Sequence, residues 1–119
     1  MPAWTLYEWE QTCSRFIENC DAGLRLKIQC RLAILIEQGD RARYPISVSY
    51  QSEKGLFEFR ASYNNRHGRF LYCFLPGRKV VFLAASYKTD KLSESVVKIA
   101  VDRMKSLKSG RSNVIPFKG

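Results

Sequence analysis

The sequence lacks the residues from which metal sites and disulfide frameworks are usually built. It contains one histidine, His67, and its four cysteines show none of the paired spacings that zinc-binding motifs use. The cysteines are Cys13, Cys20, Cys30 and Cys73. We therefore expect no metal and no other cofactor, and we interpret the cysteines as small apolar core residues in a reducing compartment.

Long apolar runs are also missing. No stretch approaches the ~20 apolar residues that a membrane-spanning helix needs, and the N-terminus does not have the charged region and apolar segment of a signal peptide. We therefore expect a cytoplasmic protein with no membrane partner. The chain has 119 residues, 45% of them hydrophobic, which is enough for a single domain with its own core.

Acidic residues are scarce after the first third of the chain. Residues 1–40 carry four basic and six acidic side chains, a net charge of −2, whereas residues 41–119 carry sixteen and five, a net charge of +11. The stretch from Arg60 to Lys91 contains seven basic residues and a single acidic residue, Asp90. Such a charge distribution favours a polyanionic partner, most simply a nucleic acid. The alternative is a solvated basic surface with no specific ligand.

Residues 56–91 have the pattern of three successive β-strands. In the first, Phe57, Phe59 and Ala61 alternate with Glu58 and Arg60, as in a half-buried antiparallel strand. The second, GRFLYCFL, places its aromatic residues on one face, and the third, KVVFLAASY, is apolar on both faces and is predicted to be central. Residues 64–68 are predicted to form a hairpin connection, and the Pro-Gly pair at positions 76 and 77 a type II turn.

The segments on either side of these strands are predicted to be mainly helical. Residues 4–9 fit either a helix, with Thr5 and Glu8 as a capping box, or a short edge strand. A helix is predicted before Asp21, and a last one begins after Ser93 and ends at Gly110. Residues 23–39 alternate between apolar and polar side chains as a strand would, but their helical stripe and caps favour a helix. Residues 46–50 could form a short extended piece. Residues 110–119 are predicted to be a basic, mobile tail whose apolar residues dock on a partner or on the domain itself.

These elements together predict an α+β fold. N-terminal helices would pack on one face of a twisted antiparallel sheet of three to four strands, which a C-terminal helix closes. The other face of the sheet would be lined by cations and open to RNA. Residues 1–109 would form one domain, followed by the tail over residues 110–119.

The order of LFEFR, GRFLYCF, VVFLAAS and IAVDRM along residues 56–107 resembles the HigB-like, phage-derived branch of the RelE/ParE toxin superfamily. The resemblance implies a RelE-like domain over residues 1–109. It also implies a growth-inhibiting toxin of a type II toxin–antitoxin system, a metal-independent hydrolase that cleaves mRNA on the ribosome. Its partners would be mRNA, the ribosome and a helix-turn-helix antitoxin. Toxins of the ParE branch instead bind DNA gyrase, so a non-catalytic toxin or nucleic-acid-binding module is the alternative.

RNA cleavage by the ribose 2′-hydroxyl needs positive charge near the phosphate and groups that move protons. Arg60 and Arg69 are candidate electrostatic stabilisers, because guanidinium groups stay charged and fit phosphate oxygens. Tyr87 and Lys88 are candidate acid–base groups, because neighbouring cations would lower their pKa values. The remaining candidates for RNA binding are Arg66, His67, Arg78, Lys79 and Lys91. His67 also fits an exposed turn residue. The resemblance is incomplete after Tyr87, where the family commonly has two adjacent lysines and this chain has one.

Overall fold

Six strands form one mixed sheet in the computed structural model, which describes residues 3–43, 46–50, 53–87, 94–110 and 113–117. Its order is β2-β3-β4-β5-β1-β6. The strands are β1 (Thr5–Trp9), β2 (Ser47–Ser49), β3 (Phe57–Tyr63), β4 (Arg66–Leu75), β5 (Lys79–Ser86) and β6 (Val114–Pro116). The helices are α1 (Thr12–Asn19), α2 (Ala22–Gln38) and α3 (Glu94–Lys108), with a 3₁₀ turn at Gly39–Arg41.

The predicted antiparallel meander is confirmed for β3, β4 and β5, but the sheet is larger and mixed. β1 pairs in parallel with β5 and antiparallel with β6. The helical alternative for residues 4–9 is therefore wrong. Leu6 is 7% exposed and lies beside Val80 of β5, and a segment of five residues gains more from such pairing than from an isolated helical turn.

The predicted tail contributes a strand. β6 pairs with β1, and Phe117 packs against Phe82 with ring centroids 5.3 Å apart. Val114 and Phe117 thus pack on the domain itself, which is one of the two alternatives predicted for the apolar residues of the tail. The predicted domain boundary at residue 109 stays a prediction.

Helices cover both faces of the sheet. The first face carries Phe59, Phe70 and Phe82, and packs against α1 and α2. The second face carries Leu71 and Leu83, and packs against α3. The second face was expected to be open to RNA, but α3 covers it over β5 and part of β4. The basic residues of β3 and the start of β4 lie beside this covered part.

Helix α2 confirms the helical interpretation of an ambiguous stretch. Leu24, Ile28 and Leu32 lie on one helical stripe and are buried, whereas Leu26, which an alternating strand pattern would also bury, is 63% exposed. Asp21 caps the helix by accepting a hydrogen bond from the Leu24 amide at 2.9 Å. The helix stripe therefore determines which face packs on the sheet.

The hairpin between β3 and β4 is tighter than predicted. Its turn consists of Asn64 and Asn65 alone, with φ values of 49° and 63°, which suit a two-residue turn of type I′. Strand β4 consequently begins at Arg66, and His67 pairs with Ser62 across the ladder. The interpretation of His67 as an exposed turn residue is therefore wrong. The short turn fixes the register that brings β3 and β4 side chains together.

The cysteines differ in exposure. Cys13, Cys20 and Cys73 are buried as predicted, but Cys30 is exposed on the outer side of α2, so the prediction that all four are core residues is wrong. Burial raises the pKa values of the Cys13 and Cys20 thiols and raises that of Cys73 to about 11. Only about one Cys73 thiol in a thousand would then be ionised at pH 8.

Thiol labelling is expected to divide the cysteines accordingly. In the native protein at pH 8, an aromatic disulfide reagent should modify one thiol rapidly and the other three only on unfolding, because thiolates are the reactive form. A Cys30→Ser variant should lose the rapid phase and keep the slow one. Rapid modification of two or more thiols in the native protein would contradict the burial described here.

No helix within the described residues is long and apolar enough to cross a membrane.

Candidate functional site

Two arginines face each other across neighbouring strands. Arg60 of β3 and Arg69 of β4 are direct ladder partners and share the second face of the sheet. Like charges in such a pair repel one another, so the arrangement needs a compensating group. The sequence predicted both residues for this site, and the structure brings them together.

Glu58 supplies the compensating negative charge. Its carboxylate is buried, with 4% of the residue exposed, and its Oε1 accepts hydrogen bonds from Nε and Nη2 of Arg60 at 3.1 and 2.9 Å. Its Oε2 lies 3.6 Å from Nε of Arg69 and accepts no hydrogen bond within the described part of the chain. One carboxylate thus lies between the two guanidinium groups and holds Arg60 in place.

A third arginine joins the site from helix α2. Nη1 of Arg31 donates a hydrogen bond to the backbone oxygen of Arg60 at 3.0 Å, so this side chain reaches the edge of β3. The sequence analysis missed Arg31. It lies in the acidic first third of the chain. Its role depends on where α2 crosses the sheet, and that position cannot be predicted from a local sequence pattern.

These groups line a pocket of about 270 Å³. The lining residues are Arg31, Arg60, Ala61, Ser62, His67, Gly68 and Arg69. The three guanidinium groups carry three positive charges and the adjacent Glu58 one negative charge, which leaves a formal charge of +2. A pocket of this charge attracts phosphate, and its guanidinium groups can donate hydrogen bonds to phosphate oxygens.

His67 belongs to this pocket. Its Nδ1 lies 2.9 Å from Oγ of Ser62, its ladder partner, so the ring has a fixed hydrogen bond on one side. The sequence predicted His67 for RNA binding, and in the structure it lines the same pocket as Arg31, Arg60 and Arg69.

Tyr87 lies away from the pocket. Its ring stacks on Phe16 of α1 at a centroid distance of 4.0 Å, and its hydroxyl donates to the backbone oxygen of Phe16 at 3.4 Å. Burial raises the pKa of Tyr87, with smaller contributions from Cys20 and Asp21. The expectation that nearby cations would lower this pKa is wrong, because the groups around the phenol are not the arginines.

An irregularity in β5 explains the position of Tyr87. Leu71 pairs with Ala84 and Tyr72 with Phe82, so Leu83 is an extra residue on its strand. Leu83 and Ala84 both contribute to the second-face core, whereas a regular strand would alternate them. Every residue that follows is shifted to the opposite face. A regular strand would have placed Tyr87 beside the arginines.

Two other predicted cations, Arg78 and Lys79, do not line the pocket. Arg78 and Lys79 lie at the opposite end of the β4–β5 hairpin from Arg69, about 20 Å away at ~3.3 Å per residue. Lys79 instead places its ammonium 5.8 Å from the centroid of the Tyr7 ring. Lys88 and Lys91, like Ser93, which is predicted to cap the last helix, lie outside the described residues.

Arg66 points to the first face, where it forms an ion pair with the α2 cap. Its Nη1 lies 2.6 Å from Oδ2 of Asp21. The pKa of Asp21 is lowered from its ordinary value of 3.8, first by the hydrogen bond from the Leu24 amide and then by Arg66. Ionised Asp21 therefore stabilises the fold fully above its ordinary pKa, and this contribution is lost as the pH falls through the lowered value.

NMR titration of the Asp21 carboxyl is expected to give a pKa below 3.8. In an Arg66→Ala variant the pKa should rise only part of the way to the ordinary value, because the bond from Leu24, the larger cause, remains. A return to the ordinary value in that variant would show that the helix cap contributes nothing.

The described residues include no group of three or more histidine, cysteine, aspartate or glutamate side chains placed to hold a metal ion. What the pocket offers is a set of fixed guanidinium groups and one imidazole around a space open to solvent. Such an arrangement can bind a phosphate group and stabilise additional negative charge that develops on it.

Comparison with known proteins gives one family. The model described as "Phage derived protein Gp49-like (DUF891)" matches residues 15–105, about three quarters of the chain. The match includes α2, strands β2 to β5 and all residues of the pocket. The search of curated proteins finds no match.

Proposed function

The chain belongs to the Gp49-like family of phage-derived, RelE/toxin-like proteins, and from this premise we propose that it is the toxin of a type II toxin–antitoxin pair. The proposed activity is that of a HigB-like, ribosome-associated endoribonuclease, an mRNA interferase. It acts in the cytoplasm, where its substrate is translated mRNA. A helix-turn-helix antitoxin is the proposed inhibitory partner.

One observation carries the proposal of RNA cleavage: Arg31, Arg60 and Arg69 converge on one pocket. In the proposed reaction a ribose 2′-oxygen attacks the adjacent phosphorus, and the bond from phosphorus to the 5′-oxygen breaks. Negative charge grows on the phosphoryl oxygens during this step. Fixed guanidinium groups stabilise that charge more strongly than mobile ones, because they need no reorientation as the charge develops.

The composition of the pocket supports a metal-independent reaction. The charged residues that line it are all basic within the described part of the chain, so it repels a divalent cation and attracts a phosphate. Glu58 is engaged by Arg60 and Arg69, which makes its carboxylate a positioning group for the arginines.

Roles are also proposed for the remaining predicted residues. Lys88 stays a proposed proton-transfer group, and Tyr87 would take such a role only after leaving Phe16. Arg66, Arg78, Lys79 and Lys91 are proposed to bind phosphates of the RNA or ribosome beyond the cleaved linkage. Such contacts would strengthen binding mainly through charge, with little dependence on sequence.

Transcript mapping tests this function directly. The protein is produced alone from a tightly controlled promoter in a bacterium, and transcript ends are mapped by primer extension. We expect arrested growth and new ends in register with codons within minutes of induction. Co-expression of a small helix-turn-helix protein encoded beside the gene should restore growth.

The same experiment separates the alternative function. Growth arrest with intact transcripts and broken chromosomal DNA would contradict the nuclease and favour a ParE-like toxin that binds gyrase. The position of Tyr87 against Phe16 is the observation that favours this alternative, because it leaves the pocket without the predicted phenol.

A further inference from the structure

The arginine pocket needs a group that accepts a proton. Attack by a 2′-hydroxyl is slow unless its proton is removed, and an arginine, which stays protonated, is poorly suited to that task. Tyr87, one of the two predicted acid–base residues, hydrogen-bonds to Phe16 on the first face. Among the described lining residues, His67 is the one whose side chain type ordinarily changes charge between pH 5 and 8.

The backbone holds His67 in position. The residue lies in strand β4 and is paired in register with Ser62 of β3, two residues before Arg69 on the same face. The charged residues that line the pocket with it are Arg31 from α2, Arg60 from β3 and Arg69 from β4. A phosphate bound by these guanidinium groups would therefore lie beside the imidazole.

The contact with Ser62 leaves one ring nitrogen for chemistry. When Nδ1 carries the hydrogen and donates it to Oγ of Ser62, the second nitrogen, Nε2, has a free lone pair. This is the tautomer that a general base requires, and Ser62 is a suitable partner because a hydroxyl oxygen accepts hydrogen bonds.

We propose that His67 is the general base of this site and that Ser62 is its positioning residue. The proposal rests on the proposed RNA cleavage. Nε2 takes the proton of the 2′-hydroxyl as the 2′-oxygen bonds to phosphorus. The bond from phosphorus to the 5′-oxygen breaks, and the leaving oxygen takes a proton from water. The products are a 2′,3′-cyclic phosphate and a 5′-hydroxyl, with imidazolium and hydroxide that neutralise each other.

The test is single-turnover cleavage of a labelled mRNA on programmed ribosomes by the full chain. His67→Asn keeps a polar atom for Ser62 and removes Nε2. We expect its cleavage rate to fall by about 10²–10³-fold, with the dissociation constant for the ribosome complex within about twofold of wild type.

Two further variants separate chemistry from folding. His67→Ala should be inactive alone and partly restored by added imidazole, which a protein that has lost its fold cannot show. Ser62→Ala should reduce the rate less than His67→Asn, because it frees the ring without removing the base. The exposed cation Lys27, outside the pocket, provides the control: Lys27→Ala should cleave at the wild-type rate.

The possible failures are distinct. If wild type cleaves and His67→Asn cleaves within about threefold of it, His67 is not the base, and the proposed function stands. If wild type leaves the mRNA intact on programmed ribosomes, both the proposed function and the role of His67 are wrong.

Discussion

Under the proposed function, the Arg69→Ala variant is expected to cleave RNA roughly 10²–10³-fold more slowly than the wild-type protein, the range seen when one fixed donor to a developing charge is removed. Only 12% of the Arg69 side chain is exposed, and its Nε lies 3.6 Å from Glu58. A guanidinium in such a partly desolvated position acts on a bound phosphate more strongly than one in bulk water. Growth inhibition should be lost together with cleavage.

Arg69→Lys distinguishes charge from geometry. Lysine keeps the positive charge but lacks the planar fork that binds two phosphate oxygens, so we expect a rate between those of wild type and Arg69→Ala. Circular dichroism and thermal unfolding establish that each variant is folded. A folded Arg69→Ala protein that inhibits growth as strongly as wild type would rule out the pocket as the catalytic site.

The Glu8→Ala variant is expected to lose about 3 kcal/mol of stability, because one buried donor and two partly buried donors lose their acceptor. Glu8 lies in β1 and is 1% exposed. Its Oε1 accepts hydrogen bonds from the Cys13 and Ser14 amides at 3.0 and 2.8 Å, and its Oε2 accepts one from the Ser14 hydroxyl. Gln11, the residue at the N-cap of α1, makes no capping bond with its side chain.

Thermal unfolding measures this contribution. A loss of about 3 kcal/mol corresponds to a decrease in Tm of roughly 10 °C for a domain of this size. Glu18→Ala, which removes an exposed acid from α1, is the matched control and should change stability by less than about 0.5 kcal/mol. Equal effects of the two substitutions would show that the buried carboxylate does not hold the start of α1.

Glu8 was correctly identified as a helix-capping residue, but the helix assigned to it was the wrong one. The sequence identified its carboxylate as a helix cap, within a capping box that begins at Thr5. The residue does cap a helix, but it does so from a strand and on the following element. The spacing of residues in the sequence indicates that the Glu8 carboxylate, a hydrogen-bond acceptor, lies close to the start of a helix. Which backbone amides it reaches depends on pairing with β5, which is more than seventy residues away in the chain.

The sequence by itself determined the elements whose signals are local. Alternation of side chains with a period of two placed Arg60 opposite the apolar residues of β3, and the same rule placed Arg69 on the matching face of β4. The helical stripe and Asp21 determined α2. These predictions succeeded because each depends on residues a few positions apart, where backbone geometry fixes the direction of side chains.

Tertiary structure alone decided what depends on distant segments. Strand β1 exists because β5 offers it a partner, β6 exists because β1 does, and Arg31 reaches the pocket because α2 crosses the edge of β3. One extra residue in β5 turns Tyr87 to the face opposite the arginines. The energies of such contacts come from burial and from hydrogen bonds between residues far apart in the chain. Short sequence patterns therefore cannot predict these contacts.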